Sequence, residues 1–364
     1  MRARMVLGLV LCGLASGAAT AAVDCTQRFV VGGSYVPYCS NGKFGPAVFV
    51  IHGTNRNADD YLGYLDDLDT LVIAPEFQEA GPGLYWSSGW KQGDKSRDSE
   101  RVSSFEVLDR MVEMFHGVAV IGHSAGGQFV SRYAAGTRMQ GLAYIVANPS
   151  SYMYLDASRP VAGECPDFNE YKYGLEDLNS YMSAGVASDF PERNVIYLLG
   201  SLDTKVDKYL DTSCEANRQG GNRYDRGLKY YEHLARHYGR PVHRTVIVPG
   251  VGHSPSRMLD AARPYLAAAI AGQGSPPANT ATATGTEPSK PKEVVAPGVN
   301  NPPAAAATGT GSAPAAQQPP AAGPAQSATP TATTPGEAAP RQNQSRNGWR
   351  FQDSVFSRLF RRSH

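Results

Sequence analysis

An apolar run, Val118-Ala119-Val120-Ile121, leads directly into Gly122-His123-Ser124-Ala125-Gly126, and helix-compatible residues follow from Gln128 to Ala135. A chain that passes from strand to helix in so few residues must turn sharply. A G-x-S-x-G pentapeptide meets that demand by holding its serine on a strained turn, with glycines on both sides where neighbouring backbone passes too close for side chains. Ser124 is therefore the candidate nucleophile. A serine hydroxyl is a weak nucleophile at neutral pH, so it needs a histidine to take its proton and an acid to orient that histidine.

In this architecture the order along the chain is Ser, acid, His, with the last two on loops after later strands. Asn194 to Leu199 reads as a strand ending in Gly200-Ser201-Leu202-Asp203, and Arg244 to Val248 as another ending in Pro249-Gly250-Val251-Gly252-His253. Asp203 is the expected acid, with Asp207 and Asp211 close enough to compete, and His253 is the expected base. An oxyanion must also be met by backbone N–H groups. Ala125, directly after Ser124, offers one. The loop His52-Gly53-Thr54 after the strand Ala47 to Ile51 offers the other, assigned to Thr54 with Asn55 as the alternative.

The remaining elements follow by periodicity. A hairpin over Thr26 to Tyr38 precedes Ala47 to Ile51, a strand over Thr70 to Ala74 and a helix over Ser103 to Phe115. After the Ser124 region come a strand over Gly141 to Ala147 and an insertion from about Ser150 to Glu192, edged by helices. The strand before Asp203, a helix over Asp225 to Tyr238, the strand before His253 and a helix over Ser254 to Ala271 complete the order. Alternating strands and helices indicate an α/β fold with a mostly parallel central sheet covered on both faces.

Ile51-His52-Gly53-Thr54-Asn55-Arg56, Ala74-Pro75-Glu76-Phe77, Gly122 to Phe129 and Ala147-Asn148-Pro149 together resemble the α/β-hydrolase superfamily over about Val48 to His253. Within it they resemble the secreted serine hydrolases related to polyhydroxyalkanoate depolymerases and feruloyl-type esterases. The resemblance implies an α/β-hydrolase fold, a mostly parallel sheet flanked by helices, with an acyl-enzyme mechanism; the Ser124, Asp203 and His253 set then points to hydrolysis of a carboxylic ester, which requires no metal or organic cofactor. The fold also hosts acyltransferases using the same triad and non-catalytic binding proteins, which stand as the alternatives.

At 364 residues with 41% hydrophobic content, the chain suffices for one large domain plus extra segments, and a formal charge of +1 gives no electrostatic reason for a nucleic-acid partner. Arg2 and Arg4, an apolar run from Met5 to Leu14 and Ala19-Thr20-Ala21 read as a signal peptide over 1–22, cleaved near Ala21 or Ala22. The expected destination is the periplasm or the extracellular space. Four cysteines then remain, an even number that favours disulfides. Cys25 and Cys39 flank the hairpin, so their ends should lie side by side, which leaves Cys165 for Cys214.

The expected catalytic domain spans 23–271. More than half of the 26 prolines lie beyond it, in an Ala/Thr/Gly-rich stretch over 272–346 that reads as a disordered linker. Residues 347–364 gather Trp349, Phe351, Phe356 and Phe360 with several arginines into a short basic amphipathic tail. Such a tail can dock on an envelope component, a membrane surface or its own catalytic domain; the competing reading is an unstructured end. Tyr85, Trp86 and Trp90, in a loop after Phe77, and Tyr152, after the next strand, are candidates for holding a sugar or phenolic group, against a role in packing the loop. His233 and His237 lie four apart on a helix but lack an H-E-x-x-H arrangement, so they read as a solvated face and no metal is expected. Arg223 and Arg226 read as surface ion-pairing residues rather than carboxylate binders.

Overall fold

The computed structural model describes residues 23–272. The expected signal peptide, the linker beyond Gly272 and the C-terminal tail lie outside the described residues. The chain begins with the antiparallel pair β1 (Asp24–Val31) and β2 (Ser34–Ser40). The turn between them uses Gly32 at φ +60°, a left-handed conformation that a side chain disfavours. Next come β3 (Ala47–Ile51), α1 (Ala58–Gly63), β4 (Val72–Pro75), α2 (Ser104–Phe115), β5 (Gly117–His123) and α3 (Ala125–Gly136). The second half supplies β6 (Ala143–Ala147), β7 (Asn194–Gly200), α4 (Cys214–Asn217), α5 (Arg223–His237), β8 (Arg244–Val248) and α6 (Pro255–Ile270).

The eight strands form one sheet in the order β1-β2-β4-β3-β5-β6-β7-β8, antiparallel at the β1, β2 and β4 edge and parallel from β4 through β8. Successive side chains on a strand point to opposite faces, and here both faces are apolar. Phe49 and Ile51 of β3, Val120 of β5, Tyr144 and Val146 of β6 and Tyr197 of β7 pack with α2, α3 and α5. Their neighbours Val48, Val50, Ile121, Ile145 and Leu198 pack on the other side with α1 and α6. A continuous apolar strand is what two covered faces require.

Most expected elements are present with small shifts. The β6 strand starts two residues later than expected, at Ala143, and α5 starts earlier, at Arg223, because the Asn222 side chain caps it by accepting from the Asp225 N–H at 2.9 Å. The helices expected at the edges of the insertion are not there. Between 150 and 192 the backbone holds short 3-10 turns at Met182–Ala184 and Phe190–Glu192 and is otherwise irregular, tied down by side chains such as Arg159, which donates to the carbonyls of Asp156, Ser158, Phe168 and Tyr173. Helix α1, which covers the face opposite α2, was not anticipated.

Both expected disulfides are present, Cys25–Cys39 and Cys165–Cys214. They close chain segments of 14 and 49 residues. Loop-closure entropy assigns them about 3 and about 4 kcal/mol respectively. Replacing Cys165 and Cys214 together by Ala should therefore cost roughly 1 kcal/mol more unfolding free energy than replacing Cys25 and Cys39, as read from urea titrations of the two double variants.

Candidate active site

The carboxyl ends of β3, β5, β6, β7 and β8 share one edge of the sheet, and the loops leaving them carry the polar residues singled out in the sequence. Ser124 stands between β5 and α3 with φ 60° and ψ −117°, a strained conformation for a residue with a side chain. Backbone packing enforces it. A Cβ at Gly122 would run into the carbonyl of Gly126, one at Gly126 into the carbonyl of Ile51, and one at Gly127 into that of Ala147. The Ser124 N–H donates to the Ala147 carbonyl at 3.0 Å, which ties the turn to the end of β6.

The Ser124 hydroxyl lies 2.9 Å from His253 Nε2, and His253 Nδ1 lies 2.7 Å from Asp203 Oδ2. An ionised carboxylate only accepts, so the Nδ1–H donates to Asp203 and the Nε2 lone pair faces the serine O–H. This is the arrangement in which an imidazole can take a hydroxyl proton while a carboxylate holds its ring. The three acidic residues that competed at this point have separate partners. Asp203 faces His253, Asp207 is held by the Arg223 guanidinium at 2.9 and 3.2 Å, and Asp211 accepts from the Tyr173 hydroxyl at 2.8 Å.

Thr54 and Ala125 line the same cleft as Ser124. Ala125 is the first residue of α3, where an N–H has no carbonyl one turn back to donate to. The loop bearing Thr54 is fixed by two side chains. Buried His52 donates through Nδ1–H to the Gly53 carbonyl at 2.8 Å and accepts from the Phe77 N–H at Nε2, 3.0 Å. Arg56 donates to the carbonyls of Phe77, Trp86 and Ser87. Asn148, after β6, ties the other two loops together: its side chain accepts from the Gly200 N–H at 2.8 Å and donates to the Gly252 carbonyl at 3.2 Å.

Several expectations need correction. Trp86, Trp90 and Tyr152 are buried in the core and do not line the cleft at Ser124, and neither does Tyr85. The Trp86 indole N–H donates to the carbonyls of Asp94 and Val102, Trp90 stacks on Phe77, and Tyr152 stacks on Tyr230. These rings pack the loops onto the sheet. Arg223 and Arg226 are fully buried rather than on the surface. Arg223 reaches Asp203 Oδ1 at 3.5 Å as well as Asp207, and Arg226 donates to the carbonyls of Ser150, Asp211 and Gly220. His233 is also buried, not solvated. It lies with His237 and Asp156 in a group of three metal-capable side chains. However, its Nε2 accepts from the Leu155 N–H at 2.9 Å, so in the neutral ring the proton is on Nδ1, the atom that faces the other two. That geometry offers a donor where a metal needs a lone pair.

The sequence reading missed the residues that steady this site. Arg223, Arg226, Gly227, Tyr230 and Leu234 are buried on one side of α5, and their spacing of three and four in the sequence is the signal that both arginines face inward.

Neither a family model nor a curated protein sequence matches the chain. Among solved structures it is similar to poly(aspartic acid) hydrolase-1 from Sphingomonas sp. KT-1, with 24% identity, a TM-score of 0.50 and coverage of 65% of this chain and 97% of that one. It is similar also to a poly(3-hydroxybutyrate) depolymerase from Bordetella parapertussis, with 22% identity, a TM-score of 0.51 and coverage of 70% of this chain and 95% of that one. The chain has the α/β-hydrolase fold. In this α/β-hydrolase fold the Ser124 turn, Asp203 and His253 follow β5, β7 and β8, in the chain order expected from the sequence.

Two outcomes follow from the buried groups. Burial pushes His52, His233 and His243, the residue just before β8, down to a pKa of about 4, whereas in the unfolded chain each returns to ~6.5. Between these values unfolding takes up protons, so the fold loses stability as pH falls, by about 1.4 kcal/mol per pH unit for each proton taken up. Urea titrations around pH 5.5 should show an uptake of at least two protons; a pH-independent unfolding free energy there would contradict the neutral, buried rings. Separately, Arg223→Leu leaves the Asp203 carboxylate buried without its cation and should lower the unfolding free energy by about 3–5 kcal/mol, measured by the same titration at pH 7.

Proposed function

We propose that the chain is an exported serine hydrolase that cleaves a carboxylic ester through an acyl-enzyme. The observation that carries this reading is the hydrogen-bonded series from Ser124 through His253 to Asp203, with Thr54 and Ala125 lining the cleft beside the hydroxyl. Ser124 Oγ attacks the ester carbonyl as its proton passes to His253 Nε2. The tetrahedral oxyanion accepts from the N–H groups of Thr54 and Ala125. Asp203 orients the imidazole and stabilises its charge. The C–O bond to the alcohol then breaks, and the proton moves from Nε2 to the departing oxygen. Water repeats the sequence: it gives a proton to His253, attacks the acyl carbonyl and releases the acid, and the proton returns to Ser124 Oγ. No step requires a group beyond these side chains and water.

Export is supported by the two disulfides, which persist in oxidising compartments, together with the signal-like run over 1–22. Among the described residues no helix is long and apolar enough to cross a membrane.

The test is hydrolysis of nitrophenyl esters from acetate to long acyl chains by the wild-type protein and by Ser124→Ala, with fluorophosphonate labelling of both. Removal of the nucleophile should cost on the order of a millionfold in turnover and abolish labelling. A wild-type protein that neither turns over esters nor labels is a binding protein on the same fold.

A further inference from the structure

The cleft at Ser124 divides into two parts. One, of about 150 Å³, is lined by His253, Pro255, Tyr61 and Asn57. The other, of about 220 Å³, is lined by Lys91, Lys172, Asp211 and Gln128, and His253 is not part of its wall. A general acid must lie within hydrogen-bond reach of the oxygen it protonates, so the leaving alcohol belongs on the His253 side. The acyl chain then belongs in the part lined by the two lysines.

The charges around that acyl part do not balance. Lys172 lies 3.8 Å from Asp211 Oδ2. Lys91 is half-buried, and among the described residues no hydrogen bond or ion pair holds its ammonium. Behind the wall, fully buried Arg132 donates to the carbonyls of Lys172 and Gln128, the Gln128 side-chain oxygen and the Ser151 hydroxyl, none of which carries charge. Buried Arg226 likewise donates to carbonyl and amide oxygens. Asp203 and Asp207 are engaged by His253 and Arg223. Among the described residues Asp211 is the one carboxylate lining that part of the cleft, and it acts on all four cations, while Asp94 and Glu215 act on Lys172 and Asp225 on Arg226 from outside the wall. Burial, with Lys172 and Arg132 close by, lowers the Lys91 pKa to about 8 although Asp211 acts to raise it, so the nearby carboxylate does not offset burial and the neighbouring cations. Desolvated cations without counter-charge are costly, and an incoming anion removes that cost.

We infer that the acyl subsite recognises a negatively charged acyl group, a carboxylate held by Lys91 and Lys172, so that the substrate is the ester of an acid carrying a second carboxylate. This deepens the serine hydrolase reading above and rests on it. The occupant is short, because the subsite is small and Asp211 closes part of the wall. Lys91 and Lys172 come from separate loops, one after β4 and one in the insertion, so each contributes to specificity independently of the Ser124 turn.

The test compares monoethyl glutarate with its neutral isostere ethyl 4-carbamoylbutanoate, using the full-length chain and following ethanol release, alongside fluorophosphonate labelling of Ser124. The wild-type protein should prefer the anionic ester by tenfold or more in kcat/KM, and the preference should shrink as salt rises and screens the half-buried lysines. Lys91→Gln should reduce the anionic-to-neutral ratio at least tenfold, and Lys91→Arg should restore it; a merely structural lysine would move both substrates together. Equal or faster cleavage of the neutral ester by wild type overturns the inference and leaves the hydrolase reading intact. A protein that labels but cleaves neither ester also overturns it. Absence of both labelling and turnover removes the hydrolase reading, and this inference with it.

Discussion

The site depends on backbone touching backbone. At the Ser124 turn the carbonyls of Ile51 and Gly126 come so near the glycines of the pentapeptide, and that of Ala147 so near Gly127, that no side chain fits between them. That contact joins the ends of β3, β5 and β6 to the start of α3, and it carries the strain of a serine held at φ 60°. Everything else at the carboxyl edge is arranged around this point. The loop with Thr54 is one of the surfaces pressed against it, so the donor groups and the hydroxyl are set by the same packing.

The loops bearing Asp203 and His253 are joined by backbone contact too, the Leu202 N–H donating to the Val251 carbonyl at 2.9 Å, and they are held in addition by buried polar groups. Arg223 lies between Asp203 and Asp207, Arg226 gathers three carbonyls, and Asn148 bridges Gly200 and Gly252. Irregular chain cannot satisfy its own carbonyls, and long side chains with several donors do it instead. The arginines therefore act as struts, and their charge is partly a by-product of the need for donors. The excess of cation around the part of the cleft lined by Lys91 and Lys172 follows from that solution.

Much of this was legible in the sequence because the elements carry their own periods. Apolar runs of five to seven residues, each ending in a glycine-containing loop, were enough to align Ser124, Asp203 and His253 at successive strand ends. The hairpin geometry gave Cys25 with Cys39. The errors have a common cause: residue type does not reveal which way an amphipathic side chain faces. Trp86 and Trp90 have the composition of a sugar-binding loop, yet their rings are needed to cover Phe77 and Phe129. Arg223 and Arg226 look like surface charge until the helix face is drawn and Tyr230 and Leu234 fall beside them. Lys91 and Lys172 could not be found at all, because they lie 81 positions apart in sequence and meet only when the insertion folds back over the aromatic loop.

The Cys165–Cys214 bridge spans a sequence separation of 49, and within that ring lie both Lys172 and Asp211, oppositely charged residues that line one part of the cleft. Asp203 lies within it as well, whereas Ser124, His253 and Lys91 lie outside. Ser124 and His253 are thus placed by the sheet alone, while Lys172, Asp211 and the loop of Asp203 are also tied by a covalent bond that persists where thiols are oxidised. In a reducing environment the sheet would still present the serine, but the segment bearing Lys172 and Asp211 would lose its anchor, which would make the proposed discrimination between acyl groups a property of the compartment as much as of the fold.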